Sequence, residues 1–156
     1  MRTVIQRVDH ASVTVNGEVV GEIERGLCLL VGITHEDSDD DLKYIVEKIL
    51  NMRIFPDAAG KSGFDLSVQN INGALLVISQ FTLYASTRKG RRPGFTAAAH
   101  PDLAKSIFDR LVDAFRMSGL RVETGIFGAS MTVNIKNAGP ATIVLDSAER
   151  TTASNH

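Results

Sequence analysis

A short polar segment follows one of the most apolar stretches of this sequence and carries groups suited to chemistry. Residues 74–78 are all apolar, and Ser79, Gln80, Phe81 and Thr82 come directly after them. Strand ends and the loops beside them are where a rigid scaffold presents functional groups. The Thr82 hydroxyl is a candidate nucleophile, but its segment contains no histidine or lysine to activate it. Ordinary strand alternation, with Thr82 hydrogen-bonded across a sheet, explains the same pattern.

A second candidate feature is electrostatic. Four cations lie within five residues, at Arg88, Lys89, Arg91 and Arg92, in a chain whose formal net charge is −1. Phosphate groups of a nucleic acid are attracted to such a local patch, whereas a solvated surface loop explains the run equally well by itself. Its place just after residues 79–82 favours contact with RNA phosphates beside a pocket.

The dipeptide Gly139-Pro140 could present backbone carbonyl groups to a ligand. Gly-Pro usually marks a turn, and most peptide bonds before proline are trans. A cis bond here would project two carbonyl groups in a fixed and unusual direction. Residue types alone therefore predict a trans turn.

Residue spacing gives no support for several familiar sites. The run Gly60-Lys61-Ser62 ends like a phosphate-binding loop, but Phe55 occupies the position of the first glycine. The four histidines lack the paired spacings of a zinc site, and the GxSxG motif of serine esterases is missing. We therefore expect no metal, no other cofactor and no hydrolytic triad built from protein groups alone.

Length and composition predict one cytoplasmic domain. The chain has 156 residues, of which 44% are hydrophobic, enough for one buried core. Its longest apolar stretch, residues 27–33, is far shorter than the ~20 residues of a membrane span, and its polar beginning does not resemble a signal peptide. The lone Cys28 lies inside this stretch, so we expect it to be a reduced core residue.

Apolar periodicity predicts the elements that must position these groups. A hairpin is expected at Asn16-Gly17, and helices are expected over residues 38–51 and from Pro101 to Gly119. The carboxylates of residues 36–41 are expected to cap the first helix, because the positive end of a helix dipole favours them. Strands are predicted at residues 3–8, 11–15, 18–23, 26–33, 74–83, 130–135 and 141–145.

This order lacks the regular strand and helix alternation of a nucleotide-binding sheet. We therefore predict a single α+β domain over residues 1–150. It should contain a largely antiparallel, curved or barrel-like sheet with two main helices, followed by a polar tail at residues 151–156.

Taken together, these segments resemble the D-aminoacyl-tRNA deacylase family, which consists of homodimeric hydrolases that free tRNA wrongly charged with D-amino acids. The likeness runs from residue 1 to about residue 146. It rests on Met1-Arg2 with Ile5-Gln6-Arg7-Val8, Ser79-Gln80-Phe81-Thr82-Leu83, Lys89-Gly90-Arg91-Arg92-Pro93 with Phe95, Thr124-Gly125 with Phe127-Gly128-Ala129 and Met131, and Asn137-Ala138-Gly139-Pro140 with Thr142.

The resemblance implies hydrolysis of the ester of D-aminoacyl-tRNA and, as a secondary substrate, of glycyl-tRNA. It implies that Gly139-Pro140 is cis and enters the pocket of the other subunit, where its carbonyls reject L-amino acids. It further implies that the tRNA 2′-hydroxyl takes part in the chemistry, and that backbone N–H groups near Phe81 and Thr82 stabilise developing negative charge.

By the same resemblance, residues 79–82 form the catalytic segment. The implied substrate contacts are Arg7, which braces the Gly-Pro loop, Phe127, which stacks on the terminal adenine, and Met131; the four clustered cations hold tRNA phosphates. The expected partners are the 3′ end of D-aminoacyl-tRNA and a second copy of the chain, without membrane or DNA. Two alternatives stay open: a module that binds the charged tRNA end without turnover, and a general esterase with Thr82 as nucleophile.

Overall fold

Six strands and two main helices make up residues 1–150, the part of the chain that the computed structural model describes. The elements are β1 (Arg2–Val15), β2 (Glu18–Ile23), β3 (Gly26–Gly32), α1 (Asp39–Asn51), β4 (Ala74–Ser79), α2 (Pro101–Arg116), β5 (Val122–Thr124) and β6 (Thr132–Asp146). Within these residues no helix is both long and apolar enough to cross a membrane. The predicted tail, residues 151–156, lies outside the described residues.

All six strands belong to one curved sheet. Its order is β2-β1-β3-β4-β5, and β6 pairs with the other edge of β1. The three pairs made by β1 are antiparallel, whereas β3–β4 and β4–β5 are parallel. The two ends of this strand order, β2 and β5, lie close together. There the Arg121 guanidinium, just before β5, donates to the carbonyl of Glu22 in β2 at 3.2 Å. The predicted α+β fold with a barrel-like sheet is confirmed, with a larger parallel part than expected.

Both faces of the central strands are buried, which explains their continuous apolar sequences. In β3, Leu27 and Leu29 pack with α1 and α2, whereas Cys28 packs in the interior of the barrel. Cys28 is fully buried, and burial raises the pKa of its thiol to about 12. The thiol therefore stays protonated, and the expected core role of Cys28 is confirmed.

Several predicted strand boundaries are wrong. Residues 3–8 and 11–15 form the single strand β1, because its first half pairs with β3 and its second half continues along β2. The strand predicted over residues 74–83 ends at Ser79, and a 3₁₀ turn, Phe81–Tyr84, follows. The short strand β5, which the sequence does not predict, exists through its pairing with β4.

The strand β6 continues through the predicted break instead of ending there. Its pairing with β1 passes from Asn137 directly to Thr142, so residues 138–141 project from the ladder. The Asn137 side chain closes this projection: its carbonyl oxygen accepts from the Ala141 N–H at 3.0 Å, and its amide donates to the Thr142 hydroxyl at 2.9 Å. The Gly139-Pro140 bond is cis, as the family resemblance implies and contrary to the expectation from residue types.

The start of α1 is capped by a carboxylate, as expected. One Asp41 oxygen accepts from the backbone N–H and the hydroxyl of Ser38, both at 2.8 Å. The other accepts from the Ser147 hydroxyl at 2.7 Å and from the Arg150 guanidinium. Burial raises the pKa of Asp41, but the hydrogen bonds from Ser147, Ser38 and Arg150 outweigh it and hold this pKa well below its ordinary value of 3.8.

We expect Asp41→Asn to lower the free energy of unfolding by about 2 kcal/mol near neutral pH, because the charge-assisted hydrogen bonds are lost. A depressed carboxyl pKa contributes stability above its ordinary value and loses that contribution as the pH falls toward the folded-state pKa. Urea titrations of both proteins should therefore show a gap that is constant from neutral pH to about pH 4 and narrows as the pH falls further toward about pH 2. A gap that does not narrow at the acidic end would contradict the role of ionised Asp41.

Candidate active site

A pocket of about 490 Å³ opens at the carboxyl ends of β3 and β4, beside the first turn of α2. This volume is typical of a site for a small molecule or for the end of a larger one. The wall is mostly apolar with a few polar groups. The lining residues are Val31, Ile33, His35, Ser79, Gln80, Phe81, Phe95, Thr96, Ala98, Ala99, His100, Pro101, Ala104, Phe127 and Gly128.

The end of β4 places backbone donors at the edge of this pocket. The Gln80 N–H still continues the sheet, donating to the Val31 carbonyl at 2.7 Å, and the chain then enters the 3₁₀ turn. The first N–H groups of a helical turn have no acceptor within it. Within residues 1–150, the N–H groups of Phe81 and Thr82 make no hydrogen bond. Two such donors can hold a carbonyl oxygen and stabilise an oxyanion.

The structure does not bring Thr82 into the pocket lining with Ser79, Gln80 and Phe81. Its exposed hydroxyl accepts a hydrogen bond from the Gln80 side-chain amide. In the described part of the chain, no histidine or lysine is hydrogen-bonded to this hydroxyl. The arrangement therefore lacks the base that an attacking threonine needs.

Each of the two imidazoles of the pocket has one ring nitrogen bonded to the backbone. His35 Nε2 donates to the Thr96 carbonyl at 2.9 Å, and His100 Nδ1 accepts from the Asp102 N–H at 3.5 Å at the start of α2. Both histidines were missed as lining residues because they are far from residues 79–82 in sequence. Only the tertiary fold brings them there.

Three phenylalanines line the pocket at different depths. Phe127 is half-buried and packs on Phe108 at a ring distance of 6.0 Å. Phe81 and Phe95 are exposed and contact each other edge to face, with centroids 5.1 Å apart and an interplanar angle of 73°. Phe95 was not among the predicted site residues, although its place just after the basic run was visible in the sequence.

The four clustered cations lie on one exposed loop, residues 87–93, which we call the basic loop. Two backbone hydrogen bonds close its base, from Ser86 N–H to Gly94 at 2.7 Å and back at 2.9 Å. Phe95 follows immediately and lines the pocket. The basic loop therefore leaves the protein at the rim of the pocket.

Arg7 lies outside the pocket and joins three stretches of the chain. Its Nε donates to the Ala138 carbonyl at 2.9 Å, and its Nη1 donates to the carbonyls of Ile54 and Gly63 at 2.8 and 3.0 Å. Arg7 therefore contacts the projection formed by residues 138–141, where the family resemblance places it.

Three other predicted site residues also lie outside the pocket of their own chain. Gly139 and Pro140 are exposed on the projection from β6. Met131 packs inside the barrel against the buried cluster that contains Cys28, and its sulfur lies 2.4 Å from where a Cβ at Gly125 would be. Met131 therefore packs against Gly125, two residues before Phe127, and does not line the pocket.

One cluster within residues 1–150 has the composition of a metal-binding group. His10, Glu22 and Glu24 place ligand atoms within 4.8 Å of one another, on the β1–β2 hairpin and the turn that follows it. His10 Nε2 lies 2.8 Å from a Glu22 carboxylate oxygen, so a simple ion pair or hydrogen bond accounts for their contact. None of the three lines the pocket.

Residues 4–146 match the family model described as D-Tyr-tRNA(Tyr) deacylase. The chain belongs to this family. Two relatives named D-aminoacyl-tRNA deacylase illustrate the match. The protein of Geobacillus sp. (strain WCH70) is 53% identical over 96% of this chain and 97% of its own, and that of Chloroflexus aurantiacus is 55% identical over 96% and 92%.

Solved structures agree with this family fold. A chain described as "c-Myc DNA Unwinding Element Binding Protein" superposes with a TM-score of 0.88 at 41% identity, covering 94% of this chain and 98% of that one. A chain described as a probable eukaryotic D-amino acid tRNA deacylase gives a TM-score of 0.81 at 19% identity, over 92% and 97%, which supports the fold alone. The family and the enzyme class expected from the sequence, a hydrolase of an ester bond, are confirmed.

Proposed function

We propose that this protein hydrolyses the ester of D-aminoacyl-tRNA, releasing tRNA and the D-amino acid, and thereby proofreads the handedness of charged tRNA. One observation carries the proposal: Phe81, whose N–H makes no hydrogen bond within residues 1–150, lines the apolar pocket together with Phe95, next to which the basic loop ends. Such an arrangement suits an aminoacyl ester attached to a polyanion. The names of the curated relatives point to the same substrate.

The proposed reaction uses water and the substrate's own hydroxyl. Water adds to the ester carbonyl carbon, the bond to the ribose oxygen breaks, and that oxygen takes a proton while the acid keeps the hydroxyl group. The neighbouring 2′-hydroxyl of the terminal adenosine orients and activates the water. The Phe81 and Thr82 N–H groups stabilise the oxyanion, each with an effect on the order of a hundredfold in rate. Ser79 and Gln80 shape the segment, and Thr82 positions Gln80.

Stereochemical selection is assigned to Gly139-Pro140 of a partner subunit in a homodimer. In its own chain this segment is exposed and remote from the pocket, while Arg7 and Asn137 hold it firmly. An enzyme that accepts many D-side chains cannot grip any one of them, but fixed backbone atoms can exclude an L-side chain by collision. Glycine lacks the side chain that would collide, so glycyl-tRNA is a secondary substrate.

The remaining predicted residues are assigned to binding. Phe127 stacks on the terminal adenine, Met131 contributes by packing against the segment that carries Phe127, and the basic loop holds tRNA phosphates. Residues 1–150 constitute the deacylase domain, acting in the cytoplasm on tRNA. Single-stranded DNA is expected to compete poorly with the charged tRNA, and equal competition would contradict the assignment of RNA as the partner.

The test compares D-tyrosyl-tRNA, L-tyrosyl-tRNA and glycyl-tRNA as substrates of the purified protein. We expect fast release of D-tyrosine, release of glycine, and release of L-tyrosine at least about a hundred times slower, because a steric collision is costly inside a rigid site. Equal hydrolysis of the D- and L-esters, or of neither, would overturn the proposal. Tight binding without release would favour the binding module.

The oligomeric state is measured on the same preparation by light scattering. A dimer is expected, since the proposed selection needs a segment from a second copy. A monomer that still discriminates fully between D- and L-esters would refute selection across subunits.

A further inference from the structure

We propose that Phe81 and Phe95 form a stacking platform for the base of the nucleotide that precedes the esterified adenosine. This inference rests on the proposed function for the identity of the RNA and adds a second nucleotide subsite to it. The platform would make the protein bind a length of single-stranded 3′ end, and not only the terminal aminoacyl-adenosine.

The first observation is the unusual exposure of the two rings. Phe81 is 58% exposed and Phe95 is 36% exposed, although both line the mostly apolar pocket. Their edge-to-face contact at 5.1 Å fixes the angle between them and leaves ring surface open to solvent. Large apolar side chains exposed together beside a pocket indicate a surface that a binding partner covers, and loss of the dimer in Phe95→Ala would assign this surface to the second subunit instead of the RNA.

The second observation is the difference between this pair and Phe127. Phe127 is half-buried and rests on Phe108, so it belongs to the inner wall, where the terminal adenine is proposed to bind. The exposed pair therefore meets whatever part of the strand extends out of the pocket. Base stacking on aromatic rings is the usual way to hold an unpaired base, and it tolerates different bases.

The third observation is charge. Phe95 comes three residues after Arg92, so the backbone separation is at most about 11 Å. Hydrogen bonds between Ser86 and Gly94 tie both ends of the basic loop to the base of this platform. A strand leaving the pocket would thus find an aromatic surface for its base and cations for its phosphates at the same rim, which is the combination that single-stranded nucleic acid sites use.

The experiment measures binding and needs no catalysis. Two labelled, unacylated RNA stem-loops with a single-stranded CCA end are compared; the second lacks only the base of the penultimate nucleotide. The wild-type protein should bind the intact RNA about tenfold more tightly than the abasic RNA. Phe95→Ala should bind both equally, whereas Phe95→Trp should retain the difference, and Phe81→Ala should repeat the result of Phe95→Ala.

Met117→Ala is the matched control, since Met117 is a large apolar side chain that is 89% exposed and does not line the pocket. Equal binding of both RNAs by the wild type would overturn the platform, as would a Phe95→Ala variant that weakens both RNAs alike or becomes monomeric. The two proposals fail separately. Base-dependent binding without ester hydrolysis would contradict only the proposed deacylase activity. Ester hydrolysis without base-dependent binding would contradict only the platform.

Discussion

A D-aminoacyl ester on a terminal 2′-deoxyadenosine is expected to be hydrolysed at least about a hundred times more slowly than the ribose ester, because general base assistance of this kind contributes a factor of that order or more. Thr82 is not placed to substitute for the 2′-hydroxyl, since it lies outside the pocket lining and its hydroxyl is bonded to Gln80. His35 and His100 each have one ring nitrogen bonded to a backbone group.

The Thr82→Ala variant complements the comparison of the ribose and deoxyribose substrates. The variant loses one side-chain hydrogen bond but keeps the Thr82 N–H, so its rate should fall by no more than about tenfold. Single-turnover hydrolysis of the ribose and deoxyribose esters by both proteins gives the comparison. Loss of all activity in Thr82→Ala, together with full activity on the deoxyribose ester, would instead establish the threonine esterase.

Gly26→Ala is expected to prevent folding. A Cβ at Gly26 would lie 1.8 Å from the Ala74 carbonyl oxygen and 2.7 Å from that residue's carbonyl carbon and nitrogen. These are backbone atoms of β4, which pairs with β3 at this point, so no side-chain rotation relieves the overlap. The cost should exceed about 4 kcal/mol, a large part of the stability of an ordinary domain.

Soluble yield and the midpoint of urea unfolding measure this effect. Gly94→Ala is the control, since a Cβ at Gly94 meets no atom within 4 Å. We expect the control to unfold like the wild type. A Gly26→Ala protein that unfolds within the error of the control would show that β3 and β4 can separate enough to admit a methyl group, contrary to their tight pairing.

Elements defined by local signals were predictable from the sequence. The Asn16-Gly17 turn and both helices follow from turn preference, apolar period and capping groups, and the structure has all three. Elements defined by their partners were not. The continuity of β1 depends on β2 and β3 sharing its edge, and β5 is a strand only because β4 lies beside it.

The candidate site divides in the same way. The polar end of β4 and the basic loop are contiguous in the chain, so their types and spacing identified them. Three other features depend on contacts that form only when the chain folds: the contact of Phe95 with Phe81, the hydrogen bond of His35 to Thr96, and the hydrogen bond of Asn137 to Ala141. A single sequence does not indicate these contacts. The geometry of Gly139-Pro140 followed from the family resemblance, since residue preference alone points to the opposite isomer.

The guanidinium of Arg7 joins the carbonyls of Ile54, Gly63 and Ala138, which come from three separate stretches of the chain. If the projection of one protomer enters the pocket of its partner, the discrimination between D- and L-esters at each active site depends on the segment around Gly63 of the other protomer. Substitutions in that segment would then change the discrimination at the partner's active site, and a heterodimer of two variants would contain two active sites that discriminate unequally.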